Sequence, residues 1–293
     1  MPLEPDGFNL IISGGLSGLE NMELDARLLK RYQETDEFSS LPTLRVYYFS
    51  PPALSLGFFQ KDADARGAVL RAEKKGYDIV RRPTGGRAVL HKNEITYAVI
   101  SSCKEGVFSG KLMETYRKIG KFLFNFFKNL GLNPDNENLF SGKGGAGSHC
   151  PSAVGEGLSK QLIAKKSDRV QGFNCFLKAG SYEITFGGKK ICGSAQRRTE
   201  KAFLQHGSIY MDYNPEEHLE LFEEGGIRPE YFENITGIRQ EMEKEGVSSG
   251  LTFDSLSDAL VKSFQNTYGL KSVIYAPERY VKNELQWIYS ENR

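Results

Sequence analysis

No apolar run in this 293-residue chain approaches the roughly 20 residues that a helix needs to cross a bilayer, so no membrane span is expected. The opening MPLEPDGFNL is acidic and lacks both a basic stretch and an apolar core, so no signal peptide is expected either. Cysteine is scarce: Cys103, Cys150, Cys175 and Cys192 are the full set, and no two stand in Cys-x-x-Cys spacing. That argues against a zinc ribbon or a thioredoxin-type pair, and no metal site is expected. Four cysteines in a chain this long do not resemble a secreted disulfide scaffold either. Free thiols in a reducing cytoplasm are the expectation, with one of them available for chemistry. Charge of one sign is also missing. Against 37 acidic residues stand 38 basic ones, which gives no reason to expect nucleic acid or an anionic membrane as the main partner.

What is present is ordinary for a globular protein, with 39% hydrophobic and 26% charged residues. The length suits one large domain with at most a small appendage. Short strands are expected at residues 8–13, 44–49, 54–58 and 77–82, the first broken by Gly14-Gly15. Apolar residues at helical spacing predict helices over 19–32, 62–75 and 111–130. Residues 88–90 and 94–100 read as paired strands around a polar turn at His91-Lys92-Asn93. Gly187-Gly188 between two apolar runs reads as a hairpin turn, and 202–210 as a further strand. Helices are expected at 215–223, 253–268 and 277–289, with a short strand at 273–275. Strands with irregularly interleaved helices predict an α/β (α+β) fold with mixed sheets. The domain reading is a catalytic unit over 1–250, containing a Gly-rich loop at about 133–172, and a small, mainly helical C-terminal subdomain over 251–293.

Three constellations can carry chemistry. In Arg81-Arg82-Pro83-Thr84-Gly85-Gly86-Arg87-Ala88-Val89-Leu90-His91, a glycine pair after a strand lets backbone approach a ligand and offers N–H groups to a carbonyl, an oxyanion or a phosphate. The Gly-Lys-Ser/Thr ending of a P-loop is missing. Taken alone, the segment reads more readily as a common glycine turn between solvated arginines. In the second, Cys175-Phe176 precedes a Tyr182-Glu183 strand, and Lys190 precedes Cys192-Gly193-Ser194-Ala195-Gln196. A lysine ammonium near a thiol lowers the thiol's pKa and polarises a thioester carbonyl. The same cysteine can also be a small apolar filler. The third, Leu204-Gln205-His206-Gly207-Ser208-Ile209, sets a histidine on a strand, for acid–base work or to orient a loop. Cys150, beside His149, is a rival nucleophile. Cys103 and Cys192 read as structural.

Taken in order, Asn21-Met22-x-Leu24-Asp25, Leu54-Ser55-Leu56-Gly57-Phe58, the Arg81 to His91 segment, Glu94-Ile95-Thr96-Tyr97, Cys175-Phe176, Gly188 to Gln196 and Leu204 to Ile209 resemble the lipoate/octanoate attachment superfamily. Each motif is weak alone, and the ordered series over roughly residues 8–212 is specific. Within the superfamily the chain is most similar to the cysteine-dependent octanoyltransferases of Gram-positive type. Arg-Arg-Pro-Thr-Gly-Gly-Arg replaces the Arg-x-Ser-Gly-Gly-Gly more usual in lipoate ligases. The usual Pro-Ser-Trp-Tyr-Glu appears here as Ala179-Gly180-Ser181-Tyr182-Glu183.

The resemblance implies a biotin/lipoate protein ligase-like fold with largely antiparallel sheets. It implies Cys175 as acyl-thioester nucleophile and Lys190 as its catalytic partner. It implies Leu56, Gly57, Arg82, Thr84, Gly85, Gly86, Arg87, His91, Gly193, Ser194, Ala195 and His206 around the substrate. The implied donor is an octanoyl-acyl carrier protein, and the acceptor a lysine of a lipoyl domain or of the glycine-cleavage H protein. No ATP, metal or other cofactor is implied. An ATP-dependent lipoate–protein ligase and a non-catalytic acyl-binding or carrier-binding protein are the alternatives.

Overall fold

The computed structural model describes residues 7–34, 41–135, 137–140, 183–222, 229–247 and 250–274. In chain order these form β1 (Gly7–Leu16), α1 (Gly18–Glu34), β2 (Thr43–Phe49), β3 (Ala53–Leu56), α2 (Asp62–Lys74), β4 (Asp78–Arg81), β5 (Val89–His91), β6 (Glu94–Ser102), α3 (Leu112–Asn129) and the single turn α4 (Glu137–Phe140). There follow β7 (Thr185–Phe186), β8 (Lys189–Lys190), β9 (Cys192–Arg198), β10 (Ala202–Tyr210), α5 (Pro215–Phe222), a 3-10 turn (Pro229–Asn234), α6 (Ile238–Lys244), α7 (Phe253–Tyr268) and β11 (Lys271–Ile274). No helix among the described residues is long and apolar enough to cross a membrane.

A six-stranded sheet in the order β11-β1-β2-β6-β10-β9 is the frame, with a three-stranded sheet β4-β3-β5 beside it. β1 runs parallel to β11 and β2, and β4 parallel to β3; the other pairings, β7 with β8 included, are antiparallel. The expected mixed, largely antiparallel α/β architecture is what forms.

Side-chain alternation along the strands decides what lies where. On β2, Leu44 and Val46 enter the core packed with Phe122, Phe126 and Phe264 of α3 and α7. Tyr47 and Phe49 face the other way, into the cluster built with Leu24 and Leu28 of α1. β6 and β10 repeat the pattern: Ile95, Tyr97, Val99, Phe203 and Ile209 join the first core, and Ala98, Ile100, Ala202 and Leu204 the second. A third cluster joins the small sheet to α2 and α5 through Leu54, Leu56, Ala68, Leu90 and Leu221.

Two expectations change. Residues 88–90 and 94–100 do not pair, because β5 runs antiparallel to β3 in the small sheet while β6 lies between β2 and β10 in the large one. His91 is therefore the last residue of a strand, and Asn93, at φ 50°, turns the chain from one sheet to the other. The first strand is not broken at Gly14-Gly15: it runs to Leu16 through a bulge, with Ile12 opposite Val46 and Gly14 opposite Tyr47. α7 packs Leu256, Leu260 and Phe264 into the main core, and β11 pairs with β1 at the sheet edge. The helix expected at 277–289 lies outside the described residues.

Candidate active site

A cavity, partly open to solvent, lies between one face of the large sheet and the small sheet. Its large-sheet wall is Tyr47 of β2, Thr96 of β6, Gly193, Ser194 and Ala195 of β9, and His206, Gly207 and Ser208 of β10. Ser55, Val89 and His91 of the small sheet, Arg82 and Met22 of α1 complete it. Glycine at 207 has a packing reason, since a Cβ there would sit 2.7 Å from Ser194 Oγ and 2.8 Å from the Tyr97 ring.

Two buried histidines bridge the sheets across this cavity. His91, on the small sheet, has Nε2 2.8 Å from Ser55 Oγ and Nδ1 2.9 Å from Ser208 Oγ on the large sheet. Its ring stacks on Phe49 with centroids 4.0 Å apart. Burial holds its pKa below the ordinary imidazole value, against the pull of Glu94. His206, on the large sheet, has Nε2 2.7 Å from Thr84 Oγ1 beside the glycine pair. Its Nδ1 lies 2.9 Å from Asp25 Oδ2. Asp25 also accepts from Arg45 Nη1 at 2.6 Å and from the Tyr47 hydroxyl at 2.8 Å. Burial alone would raise the Asp25 pKa, but the Arg45 guanidinium and then His206 outweigh it and hold the carboxyl below its usual range.

Arg82 is a clamp as well as a wall. Its guanidinium donates to the carbonyls of Ser55 (3.1 Å), Gly85 (2.9 Å) and Arg87 (2.7 Å) and to Ser55 Oγ (3.1 Å). The fork geometry of arginine suits several carbonyls at once. Phe58 N–H donates to the Thr84 carbonyl at 2.9 Å. Gly57 lies so near the turn that a Cβ on it would stand 1.8 Å from the Gly86 carbonyl oxygen. Gly86 has φ 95°, a backbone region that side chains disfavour.

Of the residues expected around the substrate, Arg82, His91, Gly193, Ser194, Ala195 and His206 line the cavity. Leu56, Gly57, Thr84, Gly85, Gly86 and Arg87 do not; they build or pack against the turn segment at its side. Lys190 also lies off the cavity wall. The β7–β8 hairpin, with Gly187 at φ 53° and Gly188 at φ 76°, delivers it into the interior at 3% exposure. There Lys190 Nζ donates to Glu183 Oε1 at 2.5 Å. Cys192, two residues on, is buried, and burial pushes its thiol up to about 12, which suits a structural cysteine rather than a nucleophile. Cys175, Cys150 and all but the start of the Gly-rich loop lie outside the described residues.

Ser55, Thr96 and Ser208 as lining residues, and Arg45 as the partner of Asp25, emerge only in the folded chain. Strand alternation is the signal that could have found them. Thr96, His206 and Ser208 are even-numbered positions on two adjacent strands whose register pairs Ser208 with Thr96.

Comparison with known proteins identifies the family and the fold. A family model described as "Lipoyl protein ligase A/B catalytic domain" matches residues 17–265. Octanoyltransferase LipM of Carboxydothermus hydrogenoformans is 39% identical over 193 residues, covering 66% of this chain and 61% of that protein. Octanoyltransferase LipM of Moorella thermoacetica is 29% identical over 283 residues, covering 93% and 90%. The chain thus spans under two thirds of the first relative's length and about nine tenths of the second's. Among solved structures, lipoate-protein ligase A bound with ATP superposes with a TM-score of 0.63 at 16% identity, covering 94% of this chain and 93% of that one. A putative lipoate protein ligase from T. acidophilum with bound lipoic acid gives 0.60 at 17% identity, covering 94% of each chain. The architecture is the biotin/lipoate protein ligase-like fold that the motif series implied.

Proposed function

This chain belongs to the lipoyl protein ligase A/B catalytic domain family, and from that premise we propose that it is an octanoyltransferase of lipoate biosynthesis. The octanoyl group comes from an acyl carrier protein, rests on Cys175 as a thioester, and ends on a lysine of a lipoyl-carrier protein. The observation that carries the reading is the cavity itself. Residues of several of the motifs, far apart in sequence (Ser55, Arg82, His91, Thr96, Gly193 and His206 among them), line one slot, and the relatives named above are octanoyltransferases. Each CH₂ taken from water contributes about 0.8 kcal/mol, so an octanoyl chain in the slot gains several kcal/mol before binding costs.

In the proposed reaction the Cys175 thiolate attacks the thioester carbonyl. Its C–S bond to the carrier's prosthetic arm breaks, and the departing sulfur takes up a proton as the free thiol. Lys190 and backbone N–H groups of the Gly85-Gly86-Arg87 turn stabilise the developing oxyanion. The neutral amine of the acceptor lysine then attacks the acyl-Cys175, the C–S bond breaks as an amide forms, the nitrogen's extra proton passes to water, and the Cys175 thiolate is regenerated. Thioester-to-amide transfer runs downhill and draws on no ATP. The proposed setting is a reducing cytoplasm, which keeps the nucleophilic thiol free.

Incubation with octanoyl-acyl carrier protein alone, followed by intact-mass analysis, tests this. The wild-type chain should gain one octanoyl group, mapped to the Cys175 peptide. Cys175→Ala should gain none, and Cys150→Ala should load normally. Addition of a lipoyl domain or H protein should discharge the group onto a lysine. Normal transfer by Cys175→Ala, or product formation only from free acid and ATP, would refute the proposal.

A further inference from the structure

The turn that carries Gly85 and Gly86 belongs, by its backbone, to the small sheet. Phe58 N–H holds the Thr84 carbonyl, and Arg82, just past β4, holds the carbonyls of Gly85 and Arg87. The Gly193 to Ala195 stretch, which lines the cavity together with Arg82, belongs to the large sheet. A slot between two sheets keeps its width only if something ties the sheets together. At the turn, the buried tie is Thr84 Oγ1 to His206 Nε2 at 2.7 Å. Arg197, exposed on β9, adds a second link to the Pro83 carbonyl at 3.2 Å.

We propose that Asp25 and His206 are positioning residues of the acyl transfer, acting through Thr84 to hold the glycine turn at a fixed distance from the large-sheet wall. The inference rests on the proposed function, because it concerns where the turn's N–H groups sit relative to the reacting carbonyl. The Asp25 carboxylate accepts and cannot donate, so His206 keeps a proton on Nδ1 and donates it. That leaves Nε2 facing the Thr84 hydroxyl, and ring rotation would break both contacts at once. Asp25 is itself immobilised by Arg45 and Tyr47, and all of these side chains are buried. A carboxylate on α1 thus reaches the turn through one imidazole and one hydroxyl, with no contact of its own to substrate required.

Thr84→Val keeps the shape and removes the hydroxyl; Thr84→Ser keeps the hydroxyl. With octanoyl-acyl carrier protein as donor, single-turnover loading is followed by intact mass. Thr84→Val should lower the maximum loading rate on the order of 100-fold, the scale of an ångström's misplacement, while the half-saturating donor concentration stays within about threefold of wild type. Thr84→Ser should restore the rate to within a few-fold. In the folded wild-type chain, imidazole ¹⁵N spectroscopy should find the His206 Nδ1 protonated, whatever the fate of the variants. Wild-type loading by Thr84→Val, equal impairment of Thr84→Ser and Thr84→Val, or an unprotonated Nδ1 would each overturn the inference. A wild-type chain that takes up no octanoyl group at all would overturn the proposed function instead, and the ¹⁵N spectrum would still decide whether Asp25 fixes the imidazole.

Discussion

Replacing Gly57 by alanine is the sharpest test of how the turn is held. A Cβ at this position would stand 1.8 Å from the Gly86 carbonyl oxygen and 2.6 Å from its carbon. Real Cβ atoms do not approach heavy atoms below 3.0 Å, so β3 and the turn must separate by about 1.2 Å. The obstacle is backbone, and Arg82 grips the carbonyls on either side of it, at Gly85 and Arg87, so the strain cannot drain into a flexible side chain. Overpacking of this kind costs about 1–3 kcal/mol of stability. An ångström of misplacement at the turn should slow acyl loading on the order of 100-fold. Gly85→Ala is the internal control: its Cβ meets nothing within 4 Å, so stability should stay within about 0.5 kcal/mol of wild type. Urea unfolding and single-turnover loading by intact mass read the two effects. Equal stability and equal loading in Gly57→Ala and wild type would refute the reasoning.

Three further outcomes are expected. Arg82→Lys should destabilise the chain by about 2 kcal/mol in urea unfolding, because an ammonium cannot serve the carbonyls of Ser55, Gly85 and Arg87 as the guanidinium fork does. Lys190→Met should lose Cys175 loading and about 2 kcal/mol of stability, since it strips the Glu183 carboxylate of its ion pair; a stable, fully active variant in the loading assay would count against the lysine's role. Burial pushes His218 down to about 4 from 6.5. Between those values the unfolded chain binds more protons than the folded one. This contribution is therefore complete above pH 6.5 and is lost as pH falls toward 4, amounting to about 3 kcal/mol. His91, also lowered by burial, acts in the same direction. Urea midpoints should fall as the solution is acidified through this window, and His218→Phe should flatten the decline.

Local chemistry made much of this protein legible in its amino-acid order. Apolar spacing placed α1, α2, α3 and α7 within a residue or two of their ends, and Gly187-Gly188 announced the hairpin, because helix periodicity and left-handed turn geometry are properties of neighbours along the chain. The ordered motifs marked the family and most of the cavity's named walls. Pairing was not local. Residues 88–90 and 94–100 alternate in a way that suits a hairpin, yet hydrogen bonding to β3 on one side and to β2 and β10 on the other sent them to different sheets. That separation opens the slot and turns His91 into a bridge across it.

Asp25 and Arg45 show the same division. As single letters they are an acid on a helix and a base on a strand, both expected at a surface. Only the packing of α1 over the face of β2 that carries Arg45 buries them together, and only the far end of the chain supplies His206 to complete the line to Thr84. Sequence alone determined which elements form and which family they build. Tertiary structure decided which polar groups lose water together, because the energy of a buried charge depends on partners that no local pattern encodes.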